Sequence, residues 1–328
     1  MDRKDIRRIA VFTSGGDAPG MNAAVRAVVR TAAFNNLHVY GIERGYEGMI
    51  NGKFRRMERK DVANIIQYGG TILRTARSKS FRTPQGRKIA YENLKAHDID
   101  ACIAIGGDGT FTGAKVFSEE FGIPFIGVPG TIDNDLYGTD STIGFDTAVN
   151  TAIEAVDKIR DTADSHNRLF FVEVMGRHSG YIALFTAIGS GASAVLIPEV
   201  DSDIESLMTV FRKNRARGKL FSIVVVAEGH HMGGAAGVAE RLKDQVADME
   251  PKVTVIGHLQ RGGSPTAADR LLASQLGHAS VNLLLEGKEN VAVGMINNKI
   301  TTYSFEDAIG KRKIPPQELV EMAGILSL

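Results

Sequence analysis

Residues 101–110 read Ala-Cys-Ile-Ala-Ile-Gly-Gly-Asp-Gly-Thr. A short apolar run closed by glycines predicts a buried parallel strand that ends in a tight turn. The pattern recurs along the chain. Ile9–Phe12 runs into Thr13-Ser-Gly-Gly-Asp-Ala-Pro-Gly-Met-Asn22, Phe125–Val128 into Pro129-Gly-Thr-Ile-Asp-Asn-Asp135, and Phe170–Val174 into Met175-Gly-Arg-His-Ser-Gly180. Ile223–Ala227 precedes Glu228-Gly229, and Val253–Ile256 precedes Gly257-His-Leu-Gln-Arg-Gly-Gly-Ser264. All six runs are expected as buried parallel strands. Between them lie helical patterns: Ala23–Phe34 sets Val25, Val28, Val29 and Ala32 on one face, and Thr147–Arg160 is similarly amphipathic. Strands alternating with helices predict an α/β architecture with right-handed crossovers. Ligands of such sheets bind at the carboxyl ends of the strands, where every glycine-rich segment falls.

Composition sets the outer bounds. The 328 residues are about twice the ~150 of a typical domain, so two domains are expected. With 43% hydrophobic and 23% charged residues, two cores can form and a largely disordered chain is excluded. Lys and Arg number 39 and Asp and Glu 38, a net charge of +1, which gives no footprint for nucleic acid or a membrane surface. Apolar runs such as Ile223–Ala227 fall far short of the ~20 residues that span a bilayer. Cys102 is the single cysteine, so neither an internal disulfide nor a Cys-x-x-Cys metal pair can form. One thiol and no signal peptide lead us to expect the reducing cytoplasm.

Glycine-rich turns let backbone approach phosphate, and the following helix points free N–H groups at the anion. The loops after Phe12 and Ile105 suit that role without a standard fingerprint. Gly15–Gly20 has the phosphate-loop spacing, but Met21-Asn22 stand where Lys-Ser/Thr would follow, and Gly107-Asp-Gly109 lacks the third glycine of a dinucleotide loop. Gly189–Ala194 matches the Gly-x-Gly-x-x-Ala variant but follows a helical pattern, which predicts small-residue packing or a loop. Asp108, Asp133 and Asp135 each follow a strand within a few residues. One such Asp reads as a turn or cap residue; three in Gly-flanked loops beside a phosphate cradle suit a Mg²⁺ ligand and a base for an attacking hydroxyl. Arg77, Arg168, Arg177, Lys252 and Arg261 supply positive charge for a transferred phosphoryl group or a phosphorylated acceptor.

Together, Thr13–Asn22, Gly106–Thr110, Pro129–Asp135, Met175-Gly-Arg177 and Gly257–Gly263 closely resemble the bacterial ATP-dependent 6-phosphofructokinases, in order over about residues 6–310. Gly-Gly-Asp-Gly-Thr alone marks only phosphoryl-transfer relatives; Thr-Ile-Asp-Asn-Asp, Met-Gly-Arg and His-Leu-Gln-Arg-Gly-Gly are specific in combination. The resemblance implies transfer of phosphate from MgATP to the 1-hydroxyl of fructose 6-phosphate, the committed step of glycolysis. It implies two Rossmann-like three-layer α/β/α domains with mostly parallel sheets and a catalytic cleft between them. Residues 1–142 and 258–307 would bind nucleotide, and 143–257 and 308–328 sugar phosphate.

It also implies roles. Asp133 is expected as the base, Asp108 as the Mg²⁺-associated carboxylate, Asp135 as a supporting acid, and Thr131, Arg77 and Arg177 beside the reacting groups. Gly16, Tyr46, Arg77, Ser78, Asp108, Gly109 and Thr110 fall at ATP-binding positions. Thr131, Ile132, Asp133, Met175, Gly176, Arg177, Glu228, His258, Leu259, Gln260 and Arg261 fall at sugar-phosphate positions. Arg168 and Lys252 match residues that reach a neighbouring subunit's site, which implies a homotetramer. Lys252 replaces the usual arginine and loses its bidentate fork, so weaker sugar-phosphate affinity or a steeper salt dependence is expected.

Arg26, Arg30, Arg59, Arg160, Arg217 and Lys219 match an intersubunit effector site for ADP or phosphoenolpyruvate, although Ser193 stands where relatives carry a Mg²⁺-holding glutamate. Lys53–Lys60 alone would read as solvated surface charge. Pyrophosphate-using relatives carry Asp and Lys where Gly109 and Gly130 stand, so ATP is the expected donor. The competing readings are a pyrophosphate-dependent enzyme and a non-catalytic nucleotide or sugar-phosphate sensor on the same scaffold. Residues 230–250, with His230-His231 spaced wrongly for a helical metal pair, are expected as a surface loop.

Overall fold

The computed structural model describes residues 6–166, 168–219 and 221–327; the terminal limits at residues 1 and 328 of the expected domains lie outside them. The chain divides into two compact units. One takes in the chain to Ile132, Leu136–Asp146 and Arg261–Arg312; the other takes in Asp133–Asp135, Thr147–Gln260 and the chain from Lys313.

The first unit holds a sheet of β1 (Arg8–Thr13), β2 (His38–Ile42), β3 (Phe54–Met57), β4 (Ala101–Gly106), β5 (Phe125–Pro129), and the later β10 (Val291–Ile296) and β11 (Lys299–Ser304). Their order is β11-β10-β5-β4-β1-β2-β3. The central pairs are parallel, with Ile9 opposite Ala101 and Ile103 opposite Ile126; β3 and β11 close the edges antiparallel. Side chains alternate across the strands. Ala10, Phe12, Cys102, Ala104 and Phe125 face one core with Met49 of α2 (Gly45–Ile50), Leu94 of α3 (Pro84–Ala96) and Phe111 and Phe117 of α4 (Asp108–Phe121). Phe12, Phe111, Phe117 and Phe125 are fully buried, each worth about 1.5–3 kcal/mol on folding. The opposite face is covered by α1 (Met21–Phe34) and a later helix, Ala267–Leu285, which pack on each other and on the strands.

The second unit has the all-parallel order β7-β8-β6-β9, with β6 (Leu169–Val174), β7 (Ala194–Leu196), β8 (Ser222–Ala227) and β9 (Lys252–Val255). The helical pattern from Thr147 extends over α5 (Phe145–His166), followed by α6 (Tyr181–Ser190), α7 (Ile204–Ala216) and α8 (Gly234–Leu242). Leu207 and Phe211 of α7, with Ala235, Val238 and Leu242 of α8, bury one sheet face; α6 packs on β8. The layered, mostly parallel α/β architecture expected from the sequence is what forms.

Two expectations need correction. The run at Val253–Ile256 becomes parallel β9, but at a sheet edge, with Val253 42% and Val255 59% exposed. Apolar content fixed strand character without fixing a central place in the sheet. Residues 230–250 are not a surface loop: His230 is 2% exposed, and Met232, Ala235, Val238, Leu242 and Val246 enter the core because they recur at helical spacing. Gly189–Ala194, expected as packing or a loop, ends α6 with Gly191 as its cap at φ +61.

Candidate active site

In the first unit, the strand order reverses between β1 and β4. The chain leaves β1 toward β2 and leaves β4 toward β5, so the loops after both strands flank a switch point where such sheets bind ligands. Asp108 opens α4, and Gly107 before it has extended backbone. Thr110 ties the two loops together, its Oγ1 donating to the Ser14 carbonyl at 3.2 Å. Tyr46 supports them from beneath: its hydroxyl donates to the Thr110 carbonyl at 2.6 Å, and its ring stacks on Phe81 at 4.0 Å between centroids. Burial holds the Tyr46 phenol well above its ordinary pKa of 10.0, keeping it a neutral donor.

Of the residues expected to meet nucleotide, Gly16, Arg77, Asp108 and Gly109 are exposed, Ser78 is half-buried, and Tyr46 and Thr110 are buried. The Arg77-Ser78 segment is held from several sides. Ser78 Oγ donates to Glu47 at 2.6 Å and accepts the Phe81 N–H at 3.1 Å. Arg87 grips Glu120 of α4 through two 2.6 Å hydrogen bonds and donates to the carbonyls of Phe81 and Arg82 at 3.1 and 2.9 Å. Asn22 anchors the preceding stretch through the Tyr68 and Gly69 carbonyls and the Ile72 N–H. A Cβ on Gly109 would meet nothing within 4 Å, whereas one on Gly130 would lie 3.0 Å from Ile105 and 3.2 Å from Met21. Thr131 lies beside Gly107, with its carbonyl accepting from Thr142 at 2.5 Å; Ile132 is fully buried. Arg261 rests its guanidinium against Gly16 and donates to the Asp17 carbonyl at 3.1 Å.

In the second unit, the loops after β6 and β8 are laced together. Glu228 N–H donates to the Val174 carbonyl at 2.9 Å and Gly229 N–H to that of Gly176 at 3.3 Å. A Cβ on Gly229 would collide with the Arg177 backbone, so only glycine permits that approach. Arg177 and Glu228 are exposed beside this seam, and His258 and Leu259 are exposed after β9. Gln260 is fully buried; its amide accepts the Met175 N–H at 2.8 Å and donates to the Ala148 carbonyl at 3.3 Å, so its side chain holds the Met175-Gly176-Arg177 loop in place. Asp133 and Asp135 are half-buried on either side of Asn134, which is 1% exposed. Arg168 pairs with Glu250 at 3.1 Å, and Lys252 is exposed on β9.

The six cations of the expected effector site divide three and three between the units. Arg26 and Arg30 lie one turn apart on α1; burial, then Arg30, lowers the Arg26 pKa. Arg59 donates to the Ala33 carbonyl at 3.3 Å. In the second unit, Arg160 caps the end of α6 at the Ser190 and Gly191 carbonyls, and burial, then Arg160, lowers the Lys219 pKa. Arg217 is exposed nearby in sequence, and Ser193 is 1% exposed.

Among the described residues, no group of three or more His, Cys, Asp or Glu could hold a metal, and no helix is long and apolar enough to cross a membrane. The exposed carboxylate of Asp108 suits Mg²⁺, which is usually held by one or two carboxylates together with substrate phosphates. Sequence reasoning singled out neither Ser179, Asn134 and Lys313, which hold the Asp133 turn, nor Glu199, which accepts the Gly180 N–H at 2.9 Å. Asn between two Asp in a turn was the only local signal; Lys313 and Glu199 lie in no motif.

The family described as phosphofructokinase matches residues 8–284. The chain is 53% identical to ATP-dependent 6-phosphofructokinase 2 of Bacteroides thetaiotaomicron over 323 residues, covering 98% of this chain and 99% of that one. It is 54% identical to ATP-dependent 6-phosphofructokinase 1 of Thermus thermophilus, again over 323 residues, covering 98% and 100%. Among solved structures, phosphofructokinase from Saccharomyces cerevisiae superposes with a TM-score of 0.88 at 38% identity, covering 93% of this chain and 45% of the longer yeast chain. A pyrophosphate-dependent phosphofructokinase from Marinobacter aquaeolei superposes at 0.85 with 25% identity, covering 97% and 88%.

Proposed function

The chain belongs to the phosphofructokinase family, and on that premise we propose that it phosphorylates fructose 6-phosphate at the 1-hydroxyl with MgATP, giving fructose 1,6-bisphosphate and ADP. The observation that carries the reading is the arrangement of the first unit's loops. Two glycine turns flank a strand-order switch point, the exposed Asp108 opens a helix there, and a Cβ on Gly109 would meet nothing within 4 Å. Relatives above 50% identity over nearly the whole chain are named ATP-dependent, which favours ATP over pyrophosphate.

Each residue then has a physical task. Helix N–H groups of α4 and the glycine turns cradle the phosphate chain. Mg²⁺, associated with Asp108, neutralises phosphate charge when bound. Arg77 steadies charge developing on the transferred group. Asp133 accepts the proton of the sugar 1-hydroxyl, a role set by geometry before pKa. Arg177 and Arg261 suit phosphate oxygens through their planar forks, and Glu228 suits the sugar hydroxyls. Arg168 and Lys252 serve a neighbouring subunit's sugar-phosphate site in a homotetramer, and the two cation trios bind an anionic effector, ADP or phosphoenolpyruvate. We place the enzyme in the cytoplasm.

The test is a coupled assay for ADP formation with fructose 6-phosphate and MgATP, run beside one in which pyrophosphate replaces ATP. Turnover with ATP alone supports the proposal. Turnover with pyrophosphate alone, or nucleotide binding with no turnover, would replace it.

A further inference from the structure

The turn carrying Asp133 and Asp135 is gripped by the side chains of Lys313 and Ser179. Asn134 sits at φ +51, a left-handed conformation that most side chains avoid, and is 1% exposed. Its Oδ1 accepts from Lys313 Nζ at 2.9 Å, a bond spanning 179 residues. One residue earlier, the Asp133 carbonyl accepts from Ser179 Oγ at 2.7 Å. Both anchors are themselves fixed. The Lys313 ammonium lies 4.9 Å from the centroid of the Tyr181 ring, whose hydroxyl donates to the Ile314 carbonyl at 2.8 Å. Ser179 is 2% exposed, and the next residue, Gly180, is held by Glu199.

We propose that Lys313 and Ser179 are positioning residues for the carboxylate of Asp133. They grip the turn at consecutive residues, one by backbone and one by side chain, and so fix the peptide plane from which the Asp133 side chain departs. A hydrogen bond from an ammonium is stronger than a neutral one, so Lys313 holds Asn134 in a conformation that costs energy to maintain. A displacement near 1 Å in a base can cost about a hundredfold in rate. The C-terminal arm beginning at Lys313 thereby becomes part of the catalytic apparatus while remaining away from the reacting atoms. This inference rests on Asp133 being the base.

The test compares kcat, both KM values and the melting temperature for K313M, K313R, N134G, S179A and the double variant K313M/N134G. K313M and N134G should each lower kcat about tenfold, with ATP KM within about twofold of wild type. The double variant should be no worse than the poorer single, because either change removes the same bond. K313R, which keeps a charged donor, should stay within about threefold of wild type, and S179A should lose about fivefold in kcat. N134G keeps the backbone conformation available, so it decides the matter if K313M fails to fold. Wild-type kcat in folded K313M or N134G, or losses that multiply in the double variant, would overturn the proposal. An inactive wild-type protein would instead sink the kinase reading.

Discussion

The loop after β4 and the turn at Asp133–Asp135 both follow strands and both present carboxylates, yet they are held by different means. The first is built from neighbours that the sheet order supplies. β1 and β4 pair in parallel, so their loops meet where the Thr110 hydroxyl donates to the Ser14 carbonyl, with the Tyr46 hydroxyl on the Thr110 carbonyl, all on elements adjoining one sheet. The second is held by side chains from the start of α6 and from the C-terminal arm. On the proposed function the first region is to cradle phosphate, which takes many weak, fixed dipoles, and the second is to carry a base, which takes one oxygen in one place.

The sharpest break of this comparison is Asp133→Ser, which should cut kcat by at least about a hundredfold with little change in ATP KM. Near-normal kcat would remove Asp133 from the chemistry and leave the second region structural. Next is Gly16→Ala. The added methyl would press on the tip of Arg261 rather than on backbone, so the fold should survive while fructose 6-phosphate KM rises about tenfold; an unchanged KM would separate Arg261 from the sugar phosphate.

The Arg87–Glu120 clamp probes the first region's support. Hydrogen bonding to Arg87, opposed by burial, holds Glu120 below its ordinary 4.5. A depressed folded-state pKa means that the ionised pair stabilises the protein above the unfolded value, and that this is lost as pH falls below about 4.5 through the folded value. Glu120→Gln should therefore cost about 1–2 kcal/mol at pH 7 and flatten the acid side of the stability curve, measured by urea unfolding at pH 7 and at pH 4. Equal pH slopes in both proteins would show that the clamp contributes nothing. The smallest effect is expected at Glu250→Gln, which releases Arg168 from an exposed pair worth under about 1 kcal/mol; fructose 6-phosphate KM should fall about two- to threefold, and a rise would contradict Arg168 as a sugar-phosphate contact.

Much of the scaffold was legible in the residues. The six apolar runs became strands, and each glycine loop took its place at a carboxyl end, because side-chain period and turn chemistry operate within a few residues. β2, β3 and β7 were missed, as was the hairpin of β10 and β11, although Asn297-Asn298 at φ +50 and +60 is a turn signal of the kind that joins antiparallel strands. Gln260 was expected to meet sugar phosphate, but its amide is bonded to backbone at both ends. A motif records that a residue type is needed without recording which atoms it touches.

By itself, the sequence determined the succession of strands, glycine turns and helices and the carboxylates and cations they carry, since all of these are written in local spacing. Only the tertiary structure decided that Val253–Ile256 would lie at an edge and that Lys313 would grip Asn134. Those outcomes depend on contacts between segments tens to hundreds of residues apart, and such contacts leave no periodic trace in the chain.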